Sequence, residues 1–278
     1  MSDTLDEWTD KAIPAGSGRY YALLHTEAPL QNHQKHIATL ISVFSKLGFQ
    51  SGEIEVAKHK LNWWRIELEK ESFQHPVMAS LDAPSALTLE RIKQLLNAYG
   101  SLLENGSPST NHENQQFHLH TGATACQLLC NTETDIEAVT KAGSTLSQFR
   151  CYRYLRQHVD HGLLCLPMSA LEAANISPAQ LGPDNKEKPV QDFLKDTQNT
   201  LLTELQAALK MLSKHISQTP PEAKAQFKSL YIYTHLQTAL LQSMAKDNTS
   251  ALNQITRLTP IKNYWLALRA AWKFDHLQ

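Results

Sequence analysis

A chain of 278 residues with 26 Lys plus Arg against 27 Asp plus Glu carries a net charge of −1, which gives no reason to expect nucleic acid or an anionic membrane surface as a partner. The length suffices for one sizeable core, and no Pro/Gly-rich linker or internal repeat divides it, so the reading is a single domain over residues 1–278. The acidic start, MSDTLDEWTD, lacks the features of a secretory or mitochondrial leader, so the chain reads as soluble and cytoplasmic, with residues 1–16 a loosely ordered N-terminal segment.

In chain order, Ser17-Gly18-Arg19-Tyr20-Tyr21 opens a tyrosine-rich helix. A second helix follows Pro29, with Ile37, Leu40, Ile41, Phe44 and Leu47 at helical spacing and an end at Gly48. No aspartate lies between Asp10 and Asp82, and Glu53 and Glu55 are the nearby carboxylates, as expected of a helix N-terminus. The next helix buries Ile54, Ala57, Leu61, Trp64 and Leu68, with Trp64 as a large apolar anchor. Arg65 either meets an anion or pairs with Glu69 one turn on, the pair being the expected arrangement.

Leu89, Ile92, Leu96, Tyr99 and Leu103 mark a helix capped by Thr88, and a polar loop runs from Glu104 to Asn111. Phe117 to Cys130 resumes as helix, and its Gly122-Ala123-Thr124-Ala125 run permits close helix approach. His118-x-His120 has no HExxH pattern beside it, so these read as surface or partly buried histidines, and Cys126, Cys130, Cys151 and Cys165 as small buried apolar residues.

Lys141 to Pro167 is the organising stretch. Ala142, Leu146, Phe149, Tyr152, Leu155 and Val159 form the apolar stripe of one long helix. The adjoining ridge carries Gly143, Ser147, Arg150, Tyr154 and His158, and Gly162 and Pro167 close the segment. Beyond it, Ser177-Pro178 begins a short helix, Leu201, Leu205, Leu209, Leu212 and Ile216 share one face, and a helix from Thr219-Pro220-Pro221 runs to about Ala245. Ser229 to Ala245 has no charged side chain, yet its Thr, Gln, His and Ser content points to a buried helix and not a transmembrane span. Pro260 starts the last helix.

Two of these blocks resemble the squalene and phytoene synthase family, the head-to-head prenyl synthases. Leu61-Asn62-Trp63-Trp64-Arg65 with Glu67-Leu68 and then His75-Pro76-Val77 is similar to that family's LxWWRxEL block, and Ala142 to Pro167 to its second signature, LGxALQxxNxLRDxxxDxxxGRxYLP. The resemblance implies an all-α, isoprenoid-synthase-type helical bundle around a central apolar cavity, with Tyr21, Phe44, Trp63 and Ser147 as cavity-wall candidates. It also exposes a departure. Tyr154 and His158 stand where the family places magnesium-binding carboxylates, Arg150 stands where it usually has asparagine, and the first aspartate-rich motif is missing. Magnesium requires hard oxygen donors, so no metal or other cofactor is expected.

The reading that follows is a non-catalytic member acting as an isoprenoid-binding or scaffold protein, as do the phytoene-synthase-like complex I assembly factors. An atypical prenyl-diphosphate transferase and a regulatory subunit of an active synthase are the alternatives. Ligand and partner follow accordingly: an isoprenoid or prenyl diphosphate, and an active synthase or an assembly client. Arg150, Arg153, Arg156 and Arg65 are the anion-binding candidates. In the plainer account the helix arginines neutralise Glu133, Asp135 or Glu137, and Tyr154 and His158 fill the lost metal site, hydrogen-bonded to each other.

Overall fold

The computed structural model describes residues 4–49, 54–81, 83–183, 185–246, 250–253 and 255–277. Among them every regular element is helical. Helix α1, Leu5–Ala12, corrects the expectation of a loose N-terminal segment. Thr4 and Glu7 close a capping box, Asp6 and Glu7 sit at the positive end of the helix dipole, and Leu5 and Trp8 pack on the core. The acidic run that reads as a solvated tail is therefore a helix start.

Helices α2 (Gly18–Leu24), α3 (Ala28–Phe49) and α4 (Ile54–Glu67) follow. Ile37, Leu40, Ile41, Phe44 and Leu47 of α3 are all buried, as their spacing predicts. Phe44 meets Trp64 edge to face at 5.0 Å, and Trp64 also packs on the His75 ring at 4.5 Å. The WWRxEL block owes its spacing to Glu67. Its fully buried carboxylate accepts from the Gln74 and His75 amides and from Lys70, which orders the turn into the short helix α5 (Pro76–Ala79). Burial pushes the Glu67 carboxyl up, but Lys70 and the two amides more than offset this and hold it below its usual range.

Helix α6 (Ala86–Asn105) starts earlier than its expected cap, because Ser85 and not Thr88 accepts the capping amide, and it ends at Gly106 in a left-handed conformation. The polar stretch after it is shorter than expected, since Thr110 and Glu113 form a second capping box that begins α7 (Asn111–His118). A π-helical turn, Leu119–Ala123, joins α7 to α8 (Thr124–Leu129).

The organising stretch is two helices and not one: α9 (Glu137–Arg153) and α10 (Leu155–Asp160). Tyr154 at φ −101, ψ 17 makes the break, α10 packs on α15, and Arg153 ties the junction outward by donating to the Thr256 carbonyl at 3.1 Å. Gly162, with φ +67, closes α10 as expected, and the Leu163 amide reaches back to the His158 carbonyl. Helices α11 (Met168–Ala173), α12 (Lys188–Gln218), α13 (Pro221–Lys224), α14 (Lys228–Met244), α15 (Ser250–Asn253) and α16 (Pro260–Asp275) complete the chain. Helix α14 is buried between α12, α16 and α2, and no helix among the described residues is long and apolar enough to cross a membrane.

α9 crosses the π turn with backbone against backbone. A Cβ on Gly122 would overlap the Gly143 carbonyl, and one on Gly143 would overlap the Gly122 carbonyl. A hydroxyl relay fastens the crossing. Thr121 donates to the Phe117 carbonyl at 2.7 Å, so it accepts from Ser147 at 3.0 Å, which leaves Ser147 to accept from His118 Nδ1–H at 3.0 Å. Burial holds His118 at a pKa of about 3, and burial, then Arg150 and His161, do the same for His158.

Gly143→Ala is expected to cost about 3 kcal/mol or more, because two helix backbones must separate; denaturant unfolding checks it. The histidines fix the acid limb of stability. Their folded pKa lies below the unfolded value of 6.5, so as pH falls from 6.5 towards about 3 the unfolded chain takes protons that the folded chain refuses. Stability should drop by about 1.4 kcal/mol per pH unit for each, and a His118→Asn variant should show a shallower fall of melting temperature between pH 6.5 and pH 5.

Candidate functional site

Helix α2, the C-terminal half of α9, α14 and the segment leading into α16 enclose a cleft of about 740 Å³. It continues inward as an apolar pocket of about 80 Å³ beside the Gly122–Gly143 crossing. Arg19, Leu146, Arg150 and Tyr233 border both spaces. The inner pocket is much the smaller of the two spaces. The outer cleft is within the usual range for a small-molecule site of about 300–1,000 Å³.

The charge lining this cleft is of one sign. Lys11, Arg19, Arg150, Arg153 and Arg257 face it, and none of its described lining residues is Asp or Glu. None of the four arginines pairs with a carboxylate among the described residues. Arg150 donates to Ser45 Oγ at 2.6 Å, Arg19 to the Ala38 carbonyl at 3.4 Å while lying over the Tyr233 ring, and Arg153 lies over Tyr154. Each of these bonds engages only part of a guanidinium with five donors. One flank of the cleft is apolar, formed by Leu146, Leu236, Leu240, Ile255 and Leu258.

The residues singled out by sequence separate into two groups. Arg150, Arg153, Tyr154 and Ser147 come together, with Ser147 on the inner pocket and the others on the cleft. Arg156 and Arg65 do not join them: Arg156 pairs with Asp160 on its own helix, and Arg65 pairs with Glu104 of α6 at 2.8 Å. The expected Arg65–Glu69 pair is replaced because Glu69 is taken by Lys93, and because Gly100 leaves room for Arg65 to cross to α6. Asp135 is bound to Arg91, so it does not neutralise the α9 arginines. Phe44 is wholly buried between α3 and α4, Tyr21 packs against Tyr264 of α16, and Trp63 is largely exposed; none of the three borders the cleft or its inner pocket. Glu53 lies outside the described residues, and Glu55 pairs with Lys58 on the surface.

Tyr154 and His158 do not share a site. Tyr154 lines the cleft, whereas His158 is buried with Cys151 and Cys165, the three donor atoms within 4.8 Å of one another. The His158 amide donates to the Tyr154 carbonyl at 3.1 Å, an ordinary helical backbone bond. Burial keeps the Cys165 thiol well above its usual range. Three buried donors, with the Arg150 guanidinium close by, fall short of the four-donor set of a structural zinc. Magnesium does not fit the cleft either, since its described lining offers cations where hard anionic oxygens are required.

Lys11, Arg19 and Arg257 were not identified from sequence. Each comes from a segment more than a hundred residues from Arg150 in the chain, and only packing brings them to one cleft.

No protein-family model and no curated protein matches the chain. Solved structures do. Squalene synthase HpnC from Alicyclobacillus acidocaldarius superposes with a TM-score of 0.62 at 14% identity, over 82% of this chain and 88% of that one. A dehydrosqualene synthase in complex with a ligand gives 0.69 at 10% identity, over 93% and 92%. YisP from Bacillus subtilis subsp. subtilis strain 168 gives 0.59 at 12% identity, over 90% and 89%. Identities this low carry the fold alone: the chain has the all-helical isoprenoid-synthase fold of the squalene and dehydrosqualene synthases.

Proposed function

We propose that this protein binds an isoprenoid diphosphate in the arginine cleft without a metal ion and without turning it over. The observation that carries the reading is five cations and no carboxylate among the described residues lining a cleft of about 740 Å³. A diphosphate is recognised by guanidinium forks directly, and an all-cationic cleft raises the local concentration of anions. The apolar flank from Leu146 to Leu258 takes the hydrocarbon chain, since it lies along the larger of the two spaces.

Binding of this kind does not amount to catalysis. Ionising an allylic diphosphate needs stabilisation that grows as charge develops on the leaving group, and magnesium held by carboxylates supplies it in metal-dependent phosphoryl chemistry. Arginines already bonded to the intact diphosphate favour substrate and transition state alike. A prenyl transferase acting through the same arginines is the alternative.

Inorganic pyrophosphate titrated calorimetrically in the presence of EDTA is expected to bind, and at a hundredfold excess over Kd to stabilise the fold by about 2.7 kcal/mol, seen as a rise in melting temperature. Arg150→Ala should weaken binding roughly tenfold to a hundredfold, the worth of one or two charge-assisted hydrogen bonds. Arg156→Ala and Arg65→Ala, outside the cleft, should leave it unchanged. Binding that is absent in EDTA and restored by magnesium would overturn the reading.

A further inference from the structure

Helix α16 has two apolar faces, one buried against the fold and the other largely exposed among the described residues. Asn263, Ala267, Ala270, Ala271 and Phe274 are buried against the fold. On the other side Ile261 is 72% exposed, Trp265 62% and Trp272 62%, with Tyr264 and Leu268 beside them. At 100° per residue these five fall within an arc of about 100°. Tyr20 and Leu24 of α2 extend the patch, joined to it through Tyr21, whose ring meets Tyr264 at 5.9 Å. Seven of the twelve large exposed apolar side chains among the described residues are thus gathered on two adjacent helices, and clustering of that kind marks an interaction surface.

The charges beside the patch indicate what covers it. Lys262, Arg269 and Lys273 are exposed and occupy the next arc, about 40° wide, on the same helix. None pairs with a carboxylate among the described residues, whereas the acid of that helix, Asp275, is bound to Lys228. A row of cations running along a tryptophan-bearing apolar ridge is the arrangement of a helix lying in a lipid interface, with rings at headgroup depth and cations among anionic headgroups. A second copy of this chain docked through the same face would bring two such cation rows to one seam. The near-neutral total charge, which points away from an anionic surface, conceals this local row.

We infer that the α16 face, with the edge of α2, seats the protein on an anionic lipid bilayer. The cleft lies alongside, since Thr259, Pro260 and Asn263 at the start of α16 border its mouth. Resting on the reading proposed above, a ligand with a hydrocarbon tail passes from bilayer to cleft without crossing water. The docking itself does not depend on that reading.

Flotation of the full chain with vesicles tests it. Vesicles of phosphatidylcholine containing phosphatidylglycerol should carry the protein upward, its tryptophan emission should shift to the blue, and brominated lipid should quench it. Trp265→Ser with Trp272→Ser should abolish flotation, and Lys262→Gln, Arg269→Gln and Lys273→Gln together should weaken binding to the anionic vesicles by about tenfold or more. All five side chains are exposed, so both variants should keep the parent melting temperature and helical circular dichroism. The inference is overturned if the protein stays unbound with anionic vesicles, if the tryptophan variant floats as the parent does, or if the patch proves to be a dimer contact that the same variant dissolves. Pyrophosphate binding is measured separately on the same samples, so a failure of the cleft reading leaves the flotation result standing, and the converse.

Discussion

Gly122 and Gly143 touch backbone to backbone, and the rest of the site is arranged by that contact. Because neither residue carries a Cβ, α9 lies closer to the π turn than side chains would permit. One turn further along α9, Ser147 joins the relay that uses His118 and Thr121. Arg150 follows on the same ridge, beyond the crossing, and emerges at the junction of inner pocket and cleft. The relay needs a proton on His118 Nδ1 to meet Ser147, and burial keeps the ring from taking a second one. A structural contact with no ligand chemistry of its own thus places the central cation of the cleft.

The cleft gathers charge at the expense of balance. Across the chain acids and bases nearly cancel, yet the described residues place five cations and no acid around one cavity. Self-repulsion of this kind destabilises a fold unless an anion relieves it. The protein softens the cost by setting Arg19 over Tyr233 and Arg153 over Tyr154 and by giving Arg150 a hydroxyl partner. Tyr154 has a double part here, breaking the helix and shielding Arg153 where a metal-binding carboxylate is expected from the resemblance.

Much of the helical plan was legible because it is written in local patterns. The apolar steps of α3 and α9, the small residues around Gly122 and the cap at Gly162 all depend on neighbours within a few turns, as do those of α4 except Ile54, which is 48% exposed. Arg150 and Arg153 were legible for a different reason, through the resemblance that aligns α9 with a known site. The misses come from distance in the chain. Arg65 satisfies an i,i+4 rule with Glu69, but α6 offers Glu104 and Gly100 clears the way, a fact of packing and not of spacing. Trp64 is the buried anchor its block suggests, whereas Trp63, expected on a cavity wall, faces outward. Arg19, Lys11 and Arg257 carried no local signal at all, and the capping box that orders α1 looked like an acidic tail.

The arginine cleft should hold a prenyl diphosphate and leave it whole. Farnesyl diphosphate incubated with the protein, with and without magnesium, followed by analysis of the lipid and of free pyrophosphate, tests this most directly. Equal binding in both conditions with the ligand recovered intact is the predicted result. Release of pyrophosphate with formation of a coupled hydrocarbon, or binding that tightens with magnesium, would contradict it.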